Sequence, residues 1–565
     1  MSYKEAKEAF VSDTTGSSIF HVLKISSITV CSLATYFALT TRHPGTLFGR
    51  RHLSTRLLIE VALLVIPTLL GLTIAAETPL YISVALCLIC LFLTWRPKAT
   101  TAHPSPQYLS KSPSLPPLQS LTIYRAQMLL LTSICILAVD FPVFPRALAK
   151  CESWGVSVMD LGVGSFVFSQ GVVSAIPIVR DPNQLSDPIF PKMLATARKV
   201  LPLLALGLVR VLLVKGTEYP EHVSEYGVHW NFFITLALLP VVSVLIHPLI
   251  ANLPPAAIGL GLTAAHQALL SGTSLQSWAI SDERFGIIGQ NKEGITSLPG
   301  YLAIHVIGFA IGLVILPVSP SHFRRALRRI HISGAPPPGS QSPTSTFKSK
   351  ESPNVRQLDK TATELGGYVI VWWTIFAVTR LVGGGTSSVS RRLANMPYVF
   401  LTAAYNSLFI LAYMALEIGF SPASTSEKSH GKHDSMDSVY FSGSTYGTEP
   451  RDVGQSLDEW KSTASVVEKD AGLPRSIVLD EAEYGARPLP TPPREPPLQA
   501  PMLLEAINLN GLALFLIANV LTGLVNLSMQ TMYASDSVAM LTLMGYLSAI
   551  CGLAWWLRGT RLVRL

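Results

Sequence analysis

Five charged residues crowd into one short stretch of this 565-residue chain. "AVDFPVFPRALAKCESWGVSVMDLGVGSFVFSQG" (138–171) sets Asp140, Arg146, Lys150, Glu152 and Asp160 between two apolar runs. A carboxylate and two cations beside an apolar surface can take a proton and stabilise a developing anion. Asp140 closes the first apolar run, and Pro142 and Pro145 stop that helix from continuing. Pro145 is expected to open a short helical turn that puts Arg146 and Lys150 at i, i+4 on one face. Gly155, Gly162, Gly164, Ser165, Ser169 and Gly171 follow; such small residues let helices approach closely and keep Asp160 near the same mouth. Taken alone, these residues leave two readings open: interfacial anchors and ion pairs, or a half-wet reaction vestibule. Cys151 beside Lys150 lacks an adjacent base, so a thiol nucleophile is the weaker reading.

Other polar groups extend the set. "KGTEYPEHVSEYGVHWNF" (215–232) is acidic and aromatic, and Glu225, His229 and Trp230 suit it to gripping a sugar or an amine. His222 and His229 with Glu218, Glu221 and Glu225 match no zinc spacing. His21, His247, His266 and His305 lie in or beside apolar runs, where a base or a hydrogen-bonded packing residue is expected. Arg125, Asp160, Arg210, Asn406, Asn510, Asn519 and Asn526 fall within apolar runs, which points to a bundle interior or a water-filled cavity.

The elements that must carry these residues are membrane spans. Hydrophobic residues make up 49% of the chain and charged residues only 14%, against roughly 25% charged in soluble domains. The mean hydropathy is +0.40. About thirteen segments approach the length of a spanning helix: 19–40, 57–76, 79–95, 122–139, 156–176, 197–214, 230–249, 255–271, 298–317, 366–385, 394–417, 503–526 and 536–557. The expected fold is therefore an all-α polytopic membrane protein, a single membrane-embedded unit over residues 1–565. The net charge of +8 does not signify a nucleic-acid partner, because Lys and Arg concentrate in short segments between apolar runs. Residues 42–56, 96–112, 323–334 and 558–565 are the basic loops, all on one side with thirteen spans. That pattern puts the carboxyl terminus in the cytosol and the amino terminus in the lumen, with residues 140–154 luminal. Residues 331–362 and 420–500 are rich in Ser and Pro and are expected to be disordered cytosolic loops. The six cysteines lie mostly inside apolar runs and form no disulfide framework.

Five motifs together resemble the GPI inositol acyltransferase family: "DFPVFPRALAKCESWGVSVMDLGVGSFVFSQG", "EHVSEYGVHWNFF", "NKEGITSLPGYLAI", "RRLANMPYVFLTAAYN" and "NLNGLALFLIANVLTGLVNLSM". They stand in the family's order, and the resemblance runs from about residue 5 to the carboxyl end outside the two polar loops. It implies a multi-pass enzyme of the endoplasmic reticulum membrane. Such an enzyme moves a fatty acyl chain, usually palmitoyl, from acyl-CoA to the 2-hydroxyl of inositol in glucosaminyl-phosphatidylinositol. The family's Asp and Lys match Asp140 and Lys150, which become the expected catalytic pair. On that reading Arg125 and Arg146 contact phosphate, Glu225 and Asp160 face the glucosamine amine, and Asn406 lines the interior. The co-substrate is acyl-CoA, the partners are the inositol lipid and membrane lipids, and no metal or further cofactor is expected. Ala147, Cys151 and Lys292 depart from the family's usual basic residue, Thr and Arg. The alternative from a different class is a polytopic lipid or metabolite transporter, against which stands the absence of an inverted repeat.

Overall fold

The computed structural model describes residues 6–7, 9–10, 12, 14–43, 53–95, 117–214, 223–333, 356–382, 388–421 and 499–562. Helices dominate, and no strand occurs among the described residues. Thirteen long helices follow one another among the described residues: α1 (Ile19–Arg42), α2 (Leu53–Leu72), α3 (Pro79–Trp95), α4 (Gln119–Ala138), α5 (Val158–Arg180), α6 (Ile189–Val214), α7 (Phe232–Asn252), α8 (Pro255–Gly272), α9 (Lys292–Ile315), α10 (Leu358–Val382), α11 (Met396–Phe420), α12 (Gly511–Ser528) and α13 (Asp536–Trp556). Each overlaps a predicted span, and the predicted 503–526 is divided at Asn510 into two helices. Ten are long and apolar enough to cross a membrane. The exceptions have local causes: α3 is 17 residues long, α6 carries Lys192, Arg198, Lys199 and Arg210, and His266 and Gln267 dilute α8.

One end of this bundle gathers the loops that the charge pattern groups together. Side chains cap the helices that begin there. Ser18 accepts from the His21 amide ahead of α1, Ser157 from Asp160 ahead of α5, and Asn231 from Phe233 and Ile234 ahead of α7. Asn395 does the same for α11, accepting from Tyr398. Each cap satisfies amides that a helix start leaves unpaired, and the aligned helix dipoles make this end favourable for carboxylates.

The core of the bundle is the crossing of α5 and α9. A Cβ on Gly171 would lie 2.1 Å from the His305 carbonyl oxygen, and one on Gly308 would lie 2.3 Å from that of Phe168. Only glycine permits such backbone-to-backbone contact. Beside it, α10 packs on α11 through the buried Trp372, which stacks on Phe400. At the opposite end, Glu60 of α2 accepts from Arg56 and Tyr36, each at 2.8 Å. The same carboxylate accepts from the amides of Met502 and Leu503 at 3.2 and 2.6 Å, pinning the start of the helix Met502–Leu509. Asn510 breaks that helix from α12 and donates to the Thr560 carbonyl at 2.8 Å.

Only the ends of the two segments expected as disordered loops fall among the described residues. Of residues 331–362, the first three close the helix His322–Ser333. Arg356 donates to the Ile315 carbonyl at 2.7 Å, and α10 begins at Leu358. These contacts order the chain on both sides of residues 334–355, which lie outside the described residues, as do 422–498. The described helices belong to one unit drawn from residues 1–421 and 497–565.

Candidate active site

Asp140 is 2% exposed at the end of α4. Its Oδ1 lies 3.3 Å from the Nζ of Lys7, and its Oδ2 accepts from Asn526 Nδ2 at 2.8 Å. Lys7 in turn donates to Asn526 Oδ1 at 2.7 Å, and Thr531 donates to the same oxygen at 3.1 Å. A carboxylate so held has little rotational freedom. The expected partner is different: no ion pair joins Asp140 to Lys150 among the described residues. Lys150 reaches Glu225 at 3.0 Å and keeps 40% of its side chain exposed.

The reason lies in the loop between α4 and α5. The expected i, i+4 face does not form, because the turn at Pro145 is a single 3-10 turn over Arg146–Leu148 and Ala149 is already extended. Arg146 therefore points back, donating from Nη2 to the carbonyls of Val139, Phe141 and Phe144 at 2.8, 3.2 and 2.9 Å. Its guanidinium lies over the Phe10 ring, 4.1 Å from the centroid. Burial pulls Arg146 down to about 10, opposed by the Asp140 carboxylate, so the group stays cationic at neutral pH. Its Nη2 organises the loop, while Nε and Nη1 are buried without a hydrogen-bond partner among the described residues.

Asp160 and Glu225 share one cation that the sequence reading did not assign. Arg391 donates from Nε to Asp160 Oδ1 at 2.8 Å and from Nη1 to Glu225 Oε1 at 3.1 Å. Burial alone would lower this guanidinium, but Glu225 and Asp160 reverse that and hold it well above its ordinary value. Asp160 also accepts from Ser157 Oγ at 2.8 Å and the Cys151 amide at 3.2 Å. Both carboxylates are ion-paired in this structure, Asp160 with Arg391 and Glu225 with Arg391 and Lys150. Burial and the Asp160 charge push the Cys151 thiol up, which makes it a poor nucleophile.

A second ion-pair cluster adjoins the first. Glu293 at the start of α9 takes both Nη atoms of Arg284 at 3.0 and 2.6 Å and Nη2 of Arg392 at 3.0 Å. Arg391 and Arg392 sit on a strained turn that ends at Ala394, whose φ is 45°. That conformation costs a non-glycine residue energy, and it aims two consecutive arginines into two carboxylate clusters.

The remaining expected site residues disperse. Arg125 is half-buried near the other end of α4, about 20 Å from Asp140 by helix rise, so the structure does not bring it together with Arg146. His229 is exposed, with Nε2 3.2 Å from Gln290 Oε1. The indole of Trp230 packs on Gly294 and donates to Thr235 at 2.9 Å, a structural position. Asn406 is fully buried and accepts from Tyr124 at 2.7 Å. It lines a crevice of about 40 Å³ with Gln127, Ser165 and Tyr413. Among the described residues, the end of the bundle holding Asp140 and Lys150 is the place where buried carboxylates meet an exposed cation.

The GWT1 family model matches residues 3–557. The chain belongs to the GWT1 family. The GPI-anchored wall transfer protein 1 of Aspergillus oryzae is 35% identical over 98% of this chain and 97% of its own length. That of Aspergillus fumigatus is 33% identical over the same shares. The Cryptococcus neoformans protein of that name is 38% identical over 78% of this chain and 62% of its own length. Within this GWT1-family chain, sequence reasoning missed Lys7, Glu293 and the Arg391–Arg392 pair as ion-pair centres, and Asn526 as the amide that holds Asp140. The paired arginines in "SRRLANMPY" and Asn526 inside an apolar run were visible signals. Lys7, in an unremarkable polar leader, gave none.

Proposed function

We propose that this protein is an acyl-CoA-dependent O-acyltransferase. It transfers a fatty acyl chain to the inositol 2-hydroxyl of glucosaminyl-phosphatidylinositol during GPI-anchor biosynthesis, at the endoplasmic reticulum membrane with the site towards the lumen. The observation that carries the reading is the buried, doubly held Asp140 carboxylate on the same loop as the partly exposed Lys150, in a chain of this family. Asp140 acts as general base on the inositol hydroxyl. The oxygen attacks the thioester carbonyl, and the tetrahedral intermediate collapses to ester with loss of the CoA thiolate. Asp140 then passes its proton to that sulfur. Lys150, tethered by Glu225 and still accessible, stabilises the developing oxyanion or the leaving thiolate. No acyl-enzyme forms, in keeping with the buried Cys151. Purified protein given palmitoyl-CoA and radiolabelled glucosaminyl-phosphatidylinositol is expected to produce the inositol-acylated lipid. Binding or translocation of the lipid without acylation would overturn the reading.

A further inference from the structure

The segment before α1 runs along the whole loop that carries the candidate site. Lys7 reaches Asp140 at the start of that loop, and Phe10 lies under Arg146. Thr14 Oγ1 donates to the Lys150 carbonyl, and the Thr14 carbonyl accepts from the Glu152 amide at 3.3 Å. The Ser17 amide donates to the Val156 carbonyl at 2.7 Å at the loop's end. Gly16 has φ +80°, and any Cβ there would sit 2.5 Å from Cys151 Sγ and from the Val156 carbonyl oxygen. Contacts at the first, middle and last positions of one loop make this segment a strap laid over it.

The Lys7 contact is closed on three sides. Lys7 touches Asp140 and Asn526, and Asn526 touches the other oxygen of Asp140. Lys7 itself is 5% exposed. A surface anchor has no need of a buried lysine, whose desolvation is costly unless its partner and hydrogen bonds are well placed. With one oxygen facing an ammonium and the other an amide, the carboxylate plane is held from both sides.

We propose that the amino-terminal strap belongs to the catalytic apparatus and that Lys7, with Asn526, is the positioning residue that aims Asp140. This rests on the acyltransferase reading for its chemical meaning, though not for the contact itself. Lys150, paired with Glu225 and with 40% of its side chain exposed, is then not needed to hold Asp140.

The test uses the full-length protein in detergent, with palmitoyl-CoA and glucosaminyl-phosphatidylinositol, and thermal unfolding measured alongside. Lys7→Met is expected to lower kcat about 10- to 100-fold, the scale of a misaimed catalytic group, with KM for both substrates little changed. Lys7→Arg is expected to recover most of that loss. Asn526→Leu leaves the ion pair and is expected to lower kcat as well, which keeps the idea testable if Lys7→Met does not fold. Unchanged kcat in a folded Lys7→Met or in Asn526→Leu would overturn the positioning role, as would losses that track the folded fraction in every variant. A wild type that transfers no acyl group would overturn the acyltransferase reading and the role of Lys7 within it. The contact is judged separately by a double-mutant cycle of Lys7→Met and Asp140→Asn on Tm, where strict additivity would overturn it.

Discussion

Asp140 stands where three segments far apart in sequence meet, so substitutions there can separate chemistry from folding. Asp140→Asn keeps the shape but removes the base, and its amide can accept from only one of the two donors, Lys7 Nζ or Asn526 Nδ2. It is expected to lower turnover per folded molecule at least about 10²-fold, beyond any fall in abundance caused by the unpaired Lys7, measured as palmitate transfer against a quantified blot. Lys150→Ala is expected to lose activity likewise, with Lys150→Arg rescuing in part, because a planar fork does not replace a compact ammonium. Cys151→Ser is expected to be close to silent. Arg391 makes the opposite case. It is the cation between the buried Asp160 and the partly buried Glu225, so Arg391→Ala strands charges and is expected to cost about 3–5 kcal/mol. That loss should appear as a fall in Tm and abundance before any change in kcat of the surviving folded protein.

Helices locate these residues, and the tightest junction between them is α5 on α9. Gly308→Val must push a side chain into the Phe168 carbonyl, and the helices part or the fold weakens. Overpacking of this kind costs about 1–3 kcal/mol, read as a lowered thermal midpoint in detergent. Because α5 carries Asp160 and α9 begins with Glu293, the same variant is expected to loosen both ion-pair clusters. Residues 425–495 should behave differently. Their Ser, Pro and charged composition cannot bury a core, and Glu60 and Gln119 already fix the chain where it re-enters at Ala500–Leu503. Deleting 425–495 is expected to leave most acyl transfer intact; a stable but inactive deletion would give that segment a catalytic or docking role.

Across the whole molecule, contacts sort the loops into two ends. Lys150 with Glu225, Arg391 with Asp160 and Arg392 with Glu293 tie four loops together. Asn510 with Thr560 ties the carboxyl end to the opposite group. Combined with the Lys/Arg bias, this predicts that residue 150 faces the lumen while 328 and 558 face the cytosol. Single cysteines at the three exposed positions, probed with an impermeant maleimide in sealed microsomes, should label at 328 and 558 and require permeabilisation at 150. Labelling of 150 in intact vesicles would invert the orientation.

What the sequence determined by itself follows from local physics. Hydropathy over about 20 residues and the proline stops made the long helices legible, and the motif at 140–171 singled out the loop that carries Asp140 and Lys150. The tertiary structure alone decided which charges pair. Arg146 turned to its own backbone because a 3-10 turn replaced a helical one. Lys150 went to Glu225, and Asp140 was left to Lys7, more than a hundred residues earlier in the chain. Helix formation depends on neighbours within a few residues, whereas a buried ion pair depends on which distant segments the bundle brings within about 4 Å, and no spacing along the chain encodes that.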